Sequence, residues 1–375
     1  MTPSVLFVSK PIAPPFHDGS KCLVRDVAQN LKRVAPIVLS TPGAPPLNAA
    51  PGAVAVRSVA AYAAPGGFSP AFSANLRAAA WVLLRSRASV WHFVFAPNAR
   101  TSGAGKWLRR ARAVPVVQTI ASPPRSFAQP QALFFGDVLV AQSAWTRSAI
   151  ETSYEGSGLR APRIEVIPPP VPDVTPPSAA QVASVRRELN LAPEQRYLLY
   201  PGDLETSSGA EVTAALAERA ALAVPELVTV FAYRRKSAAA AEVATRLARR
   251  LPASQTRFLE NAPNILALLA GAAAVVFPVD DLWGKVDLPI VLLEAMALGV
   301  PVLALDQGPL QDLRGVLKVA SLDAQAWLTE IQSLLAEPER CRRIVSEQRV
   351  ALAERHAAKV VACAYEELYL GLIAH

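Results

Sequence analysis

The sequence predicts an α/β protein made of two doubly wound parallel sheets, one in each half of the chain. Three observations carry this. Short, wholly apolar runs recur, such as Ser4–Ser9 (SVLFVS), Val90–Phe95 (VWHFVF) and Leu227–Ala232 (LVTVFA), and strands covered on both faces read this way. Stretches with apolar residues at helical spacing alternate with these runs, as βαβ units require. The chain's 375 residues exceed what one core ordinarily holds. The proline-rich run Val166–Pro177 (VIPPPVPDVTPP) stands between the two series as a stiff linker.

In the first half, the strand Ser4–Ser9 is followed by the loop PIAPPFHDGS and a helix from Ser20. Leu23, Val24, Val27 and Leu31 line one face of that helix. A strand, a glycine-containing loop and a helix start present backbone N–H groups to an anion, and Gly19 and Ser20 occupy that turn. His17 and Asp18 read in two ways. They are a base or hydroxyl-binding pair, or a solvated turn in which Asp18 caps the helix. Pro36–Ser40 is a second strand, residues 41–70 read as loop, and Phe72–Arg87 as helix. His92, inside an aromatic strand, reads as a packed core residue. Trp107–Arg112 (WLRRAR) sets an aromatic beside a basic cluster on a helix, which suits either a lipid headgroup layer or an ordinary amphipathic surface. Pro115–Ile120 and Asp137–Ala141 are further strands, with a helix over Trp145–Ile150.

The second half restarts with the strand Gln195–Tyr200, the turn Pro201-Gly202, then Ser207 and Ser208 ahead of a helix over Gly209–Leu222. Leu227–Ala232 is a strand, an Ala/Arg-rich helix runs to Arg250, and Thr256–Leu259 is a strand leading into a loop that holds Asn261. A short helix, Ile265–Leu269, and a strand, Ala272–Phe277, come next; Asp280-Asp281 is a loop pair. The stretch Gly284–Asp306 (GKVDLPIVLLEAMALGVPVLALD) is the most informative. Pro289 suits a first helical position, and Ile290, Leu293, Ala297 and Leu298 recur at helical spacing. Gly299 sits where a left-handed cap ends a helix, and Val300–Leu305 is a buried strand. Within this apolar segment stands one carboxylate, Glu294. Its burial is costly unless the fold or a ligand satisfies it.

The net charge of +8 is unevenly placed. Residues 1–170 hold 18 Lys and Arg against 6 Asp and Glu, a net of +12; the remainder holds 20 against 24, a net of −4. This asymmetry points to an anionic partner for the first half, and a membrane surface or phosphorylated lipid suits it. Nucleic acid does not, because no recognised module or aromatic–basic interleaving is present. Cys22, Cys341 and Cys363 show neither metal-ligand nor disulfide spacing, which points to a reducing compartment and three buried structural thiols. No secretory signal is visible. The longest apolar stretch, Ile265–Val279, is broken by Gly271 and Pro278 and falls short of the roughly 20 residues of a membrane span. A soluble, cytoplasmic protein is expected, peripheral at the inner membrane face if the basic half meets lipid.

The segment LLEAMALGVPVLALD resembles the signature of retaining glycosyltransferases of family 4 (glycosyl transferases group 1). That resemblance implies the GT-B fold, two Rossmann-like domains facing a cleft. Its boundaries here would be an acceptor domain over 1–168, a nucleotide-sugar donor domain over 175–355, and a terminal helix over 356–375 that crosses back to the first domain. It implies transfer of a sugar from a UDP-, GDP- or ADP-sugar to a hydroxyl of a glycan, lipid-linked sugar or small molecule, with retention of configuration and no metal or other cofactor. By the same resemblance Glu294 holds the donor ribose, Gly19 and Ser20 form the glycine loop, Gly202, Ser207 and Ser208 meet the diphosphate, and Asn261 runs past the nucleobase. Leu288, Pro289 and Ile290 complete the donor segment. The chain also departs from the pattern. Val286 stands where a second Glu is usual, Asp203 replaces an Arg and Ser208 a Lys on the diphosphate, and Ala121-Ser122 replaces a His-Asp pair. Lys285, with Arg234 or Arg235, offers replacement charge, and Asp287 either caps the helix or takes over part of the missing Glu's work on the sugar. His17, Lys285 and Asp287 are therefore the catalytic candidates. The departures also suit a degenerate GT-B protein acting as a non-catalytic binding or scaffold subunit.

Overall fold

The computed structural model describes residues 2–16, 18–63, 70–235 and 237–374. The first half begins with seven strands: β1 (Ser4–Val8), β2 (Ala35–Ser40), β3 (Arg57–Ala60), β4 (Val90–Phe95), β5 (Val116–Ile120), β6 (Val138–Ala141) and β7 (Arg163–Val166). They form one parallel sheet in the order β3-β2-β1-β4-β5-β6-β7. Helices α1 (Gly19–Asn30), α2 (Phe72–Arg85), α3 (Ala99–Ala111), α4 (Pro130–Leu133) and α5 (Ala144–Gly156) make the crossovers. The second half has β8 (Arg196–Tyr200), β9 (Leu227–Tyr233), β10 (Thr256–Glu260), β11 (Ala274–Phe277), β12 (Val302–Leu305) and β13 (Leu317–Val319). These too are parallel, in the order β10-β9-β8-β11-β12-β13. Around them lie α6 (Ala179–Glu188), α7 (Gly209–Ala223), α8 (Ala238–Arg250), α9 (Ile265–Ala270), α10 (Ile290–Ala297), α11 (Ala324–Ala336) and α12 (Pro338–Ala351), and the chain ends in α13 (Ala358–Ile373).

Two compact units result. The first comprises Met1–Pro172, Trp283–Ile290 and Arg355–His375; the second comprises Asp173–Leu282 and Val291–Glu354. The stretch Gly284–Asp306 is thus divided, its loop in one unit and nearly all of α10 in the other. Each strand order reverses once, between β1 and β4 in the first unit and between β8 and β11 in the second. In open α/β sheets ligands bind beyond the carboxyl ends of the strands at such a reversal.

In the first unit, β1, β4, β5 and β6 contribute wholly buried apolar side chains, among them Val5, Phe7, Val90, Val117 and Val140. Helix α13 packs into the same core through Val361, Tyr365, Leu368 and Tyr369. His92 is fully buried, with Nδ1 2.7 Å from the Tyr369 hydroxyl and Nε2 2.7 Å from Thr119 Oγ1. Each hydroxyl can donate or accept, so a neutral imidazole is satisfied on both nitrogens, and burial pushes its pKa down to about 3. The carboxylate of Glu366, 3% exposed, accepts from the backbone N–H groups of Lys32, Arg33 and Val34 ahead of β2. A charged acceptor with three donors clamps α13 to the turn after α1.

Two expectations are corrected. Residues 41–70 are not all loop, because Arg57–Ala60 forms the edge strand β3 beside β2. Its sequence RSVA is short and mostly exposed, so it lacks the apolar run that marks a central strand. No disulfide joins the three cysteines, and Cys22 alone is buried; Cys341 is half-buried and Cys363 exposed on α13. Among the described residues no helix is long and apolar enough to cross a membrane.

Candidate functional site

In the first unit the switch point lies at the turn between β1 and α1. Asp18 is the N-cap of α1; its carboxylate accepts from the Ser20 N–H at 2.9 Å and from the Ser20 hydroxyl at 2.5 Å. Lys10 Nζ lies 2.6 Å from its other oxygen. Burial by itself would raise the Asp18 pKa, but the charge and hydrogen bond of Lys10, with Ser20, outweigh it and hold the carboxyl below its ordinary value. The capping reading of Asp18 is therefore realised. His17 lies outside the described residues.

Gly19 is required by close approach. A Cβ there would meet Val286 Cγ1 at 2.9 Å and Ile290 Cγ1 at 3.7 Å. The turn that presents N–H groups at α1 is thus covered by an apolar side chain, Val286, which is 6% exposed. Beside it Leu288, Pro289 and Ile290 are buried and Lys285 is half-buried. Asp287 is wholly buried, and its Oδ2 accepts from the Ser143 hydroxyl at 2.7 Å. Ser143 in turn accepts from the Thr146 N–H at 3.0 Å and so caps α5. Buried and hydrogen-bonded, Asp287 anchors its loop to the carboxyl edge of β6. No local sequence signal marks Ser143 as its partner, since 144 residues separate them. The guanidinium of Arg125, equally unmarked in the sequence, stacks over Trp283 at 3.9 Å from the ring centroid. This places a cation at the loop after β5.

In the second unit the corresponding turn joins β8 to α7. Gly202 and Gly209 pack on Tyr200: a Cβ on Gly202 would meet the ring at 2.3 Å, and one on Gly209 the hydroxyl at 2.8 Å. The Tyr200 hydroxyl donates to the Asp203 carbonyl at 2.7 Å, and Asp203 itself is buried. Both donors of Ser208 are taken by one carboxylate. Its N–H donates to Asp280 Oδ1 at 2.9 Å and its hydroxyl to Asp280 Oδ2 at 2.7 Å. Ser207 Oγ accepts from the Gly209 N–H at 3.2 Å. Asp280, which follows β11 and reads in sequence as half of a loop pair, therefore occupies the start of α7 as an anion would. The switch points in the two units share this device, with Asp18 at one helix start and Asp280 at the other.

Asn261 follows β10 with φ +53°, a left-handed conformation that Asn tolerates better than most residues; its N–H donates to the Tyr233 carbonyl at 2.8 Å. Helix α10 ends as expected. Gly299, at φ +74°, donates to the Met296 carbonyl at 3.0 Å and Val300 to the Ala295 carbonyl at 3.0 Å, the paired bonds of a Schellman cap. Glu294 is half-buried on α10 among the fully buried Leu292, Leu293, Ala295 and Met296. Among the described residues no group of three or more His, Cys, Asp or Glu gathers to hold a metal ion.

Residues 196–337 match the family model described as glycosyl transferases group 1. A comparison of the sequence with curated proteins finds no match. Among solved structures, the chain is similar to Anabaena HepE in complex with UDP-glucose, at TM-score 0.70 and 14% identity, covering 98% of this chain and 99% of that one. Sucrose-phosphate synthase from Thermosynechococcus elongatus superposes at TM-score 0.71 and 18% identity, over 99% of both chains. The catalytic domain of starch synthase IV from Arabidopsis thaliana, bound to ADP and acarbose, does so at 0.72 and 12%, over 100% of both. The two parallel-sheet domains have the GT-B fold, and most of the residues in the glycosyl transferases group 1 match belong to the second unit.

Proposed function

We propose that the chain is a glycosyltransferase that moves a hexosyl group from a nucleotide-sugar donor to an acceptor hydroxyl with retention of configuration. The observation that carries this reading is the group 1 match over residues 196–337, which contains Glu294. In the proposal the second unit binds the donor. The Glu294 carboxylate accepts from the ribose hydroxyls, the Asn261 loop runs along the base, and Gly202, Ser207 and Ser208 border the diphosphate. Asp287 accepts from the Ser143 hydroxyl and serves to hold Lys285 and Leu288–Ile290 in place. Gly19, Ser20 and Lys285 are the donor-binding candidates of the first unit, Lys285 by its positive charge, with His17 as a further candidate on the acceptor.

In the proposed reaction the bond between the sugar's anomeric carbon and the diphosphate oxygen breaks, and a bond to the acceptor oxygen forms on the same face. The acceptor's proton passes to the leaving phosphate, so no enzymic nucleophile is required. HepE was crystallised with UDP-glucose and starch synthase IV with ADP, so UDP- and ADP-sugars are the first donors to test, with GDP-sugars. A glycan, a lipid-linked sugar and a small molecule are the acceptor classes.

A second reading, a GT-B subunit that binds without catalysing, is favoured by two observations. Val286 is apolar and pressed on Gly19, and Ser208 spends both donors on Asp280. Nucleotide release from UDP-, GDP- and ADP-sugars, with and without lipid-phosphate acceptors, separates the two. Acceptor-dependent release supports transfer. Failure of every donor to bind, together with affinity for a protein partner, overturns it.

A further inference from the structure

Between Asp26 and Asp137 the sequence contains no Asp or Glu, yet residues 27–136 hold 12 Lys and Arg. That tract builds α2 and α3 of the first unit, and α2 is apolar on two faces. Ala78 and Val82 are buried against the core. Stepping about 100° per residue, Leu76 and Leu84 lie on the opposite side and Phe72 at its edge, and they are 62%, 69% and 84% exposed. Arg77 and Arg85 are exposed on the same helix. On α3, tied to α2 by the Arg112 guanidinium donating to the Leu83 carbonyl at 2.9 Å, Trp107 is 58% exposed beside Arg110.

A helix of a globular protein exposes its polar face and buries one apolar stripe. A second stripe of large side chains, set in a tract of chain with no Asp or Glu of its own, marks a surface that covers something apolar and anionic together. We propose that the outer face of α2, with Trp107 of α3, docks on an anionic lipid bilayer: Phe72, Leu76 and Leu84 enter the acyl boundary and the arginines meet the phosphates. A second copy of this chain is disfavoured by the same charge, since pairing α2 faces would set arginine against arginine. Neither the identity of the donor nor that of the acceptor enters this inference.

The test is cosedimentation of the full chain with phosphatidylcholine vesicles, with and without phosphatidylglycerol. Binding is expected with the anionic vesicles and is expected to weaken as salt rises. The triple variant Phe72→Ser, Leu76→Ser, Leu84→Ser should lower the partition coefficient by about a hundredfold, with the melting temperature unchanged because all three side chains are exposed. Arg77→Gln with Arg85→Gln should lower it by roughly tenfold. Equal binding to both vesicle types, binding unchanged by the triple variant, or a solution dimer that the triple variant dissolves would each overturn the proposal. Capture of an acidic protein at this face with no vesicle binding would do the same.

Discussion

Asp280 sets the sharpest quantitative test of the second unit. Its two oxygens hold the N–H and hydroxyl of Ser208 at 2.9 and 2.7 Å, the donors that a diphosphate would use at the start of α7. A phosphate oxygen taking those donors sits about 4 Å from a carboxylate that stays in place. Two unit charges at that distance repel by about 1 kcal/mol in water and about 4 kcal/mol at the effective dielectric of a protein surface. Asp280 is exposed, so the lower part of that range applies. Removing it should tighten donor binding by about 1–2 kcal/mol, roughly 5- to 30-fold. The same change strips a favourable charge from the helix start and costs about 0.5–2 kcal/mol of stability. Isothermal titration of UDP-glucose against wild type, Asp280→Ala and Asp280→Asn, with a thermal melt of each, measures both effects. The expected order of affinity is Ala above Asn above wild type, since Asn relieves the charge but still engages Ser208. Folded variants that bind no more tightly than wild type would refute the placement of the diphosphate at this turn.

Two further predictions concern the first unit. Replacing Glu366 with Ala leaves the N–H groups of Lys32, Arg33 and Val34 without their buried acceptor; the cost should be about 3 kcal/mol. That is a fall of about 6–12 °C in the melting temperature of this unit by calorimetry; Glu366→Gln should lose about half as much, and an unchanged melt would show that the clamp contributes nothing. His92 and His356 are both buried, their pKa values pushed by burial to about 3 and about 4 from an ordinary 6.5. The unfolded chain therefore binds protons that the folded chain refuses, and the stability they contribute is complete above about pH 6.5 and lost as pH falls towards 3–4. Each should give a slope of about 1.4 kcal/mol per pH unit within that window. Denaturant titrations between pH 7 and 4.5 should show it, and a flat profile would contradict the buried neutral state of these rings.

The central strands were legible because their residues are apolar without interruption. SVLFV, VWHFVF and AVVF can be little else in a sheet covered on both sides. The edges were less so: β3 (RSVA) and β13 (LKV) have too few apolar residues to stand out. The end of α10 could be read to the residue, since the left-handed position admits Gly299 far more readily than a residue with a Cβ. Glu294 too was conspicuous as a lone carboxylate in an apolar helix. What the sequence could not reveal were the long-range polar partners. Nothing near Ser208 announces Asp280, 72 residues away, nor does Asp287 announce Ser143. The cysteines failed for a related reason, because spacing shows what they do not bind and says little about burial.

The central claim is that the second unit holds a nucleotide-sugar through Glu294. The most direct measurement is isothermal titration of UDP-, GDP- and ADP-sugars against wild type and Glu294→Ala, with the melting temperature of each protein recorded. Wild type should bind at least one donor, and Glu294→Ala should lose about a hundredfold in affinity, the worth of about 3 kcal/mol of charge-assisted hydrogen bonding to ribose, while its melt shows the variant still folded. Donor affinity that survives the substitution, or no binding by any of the three donors to the folded wild type, would contradict it.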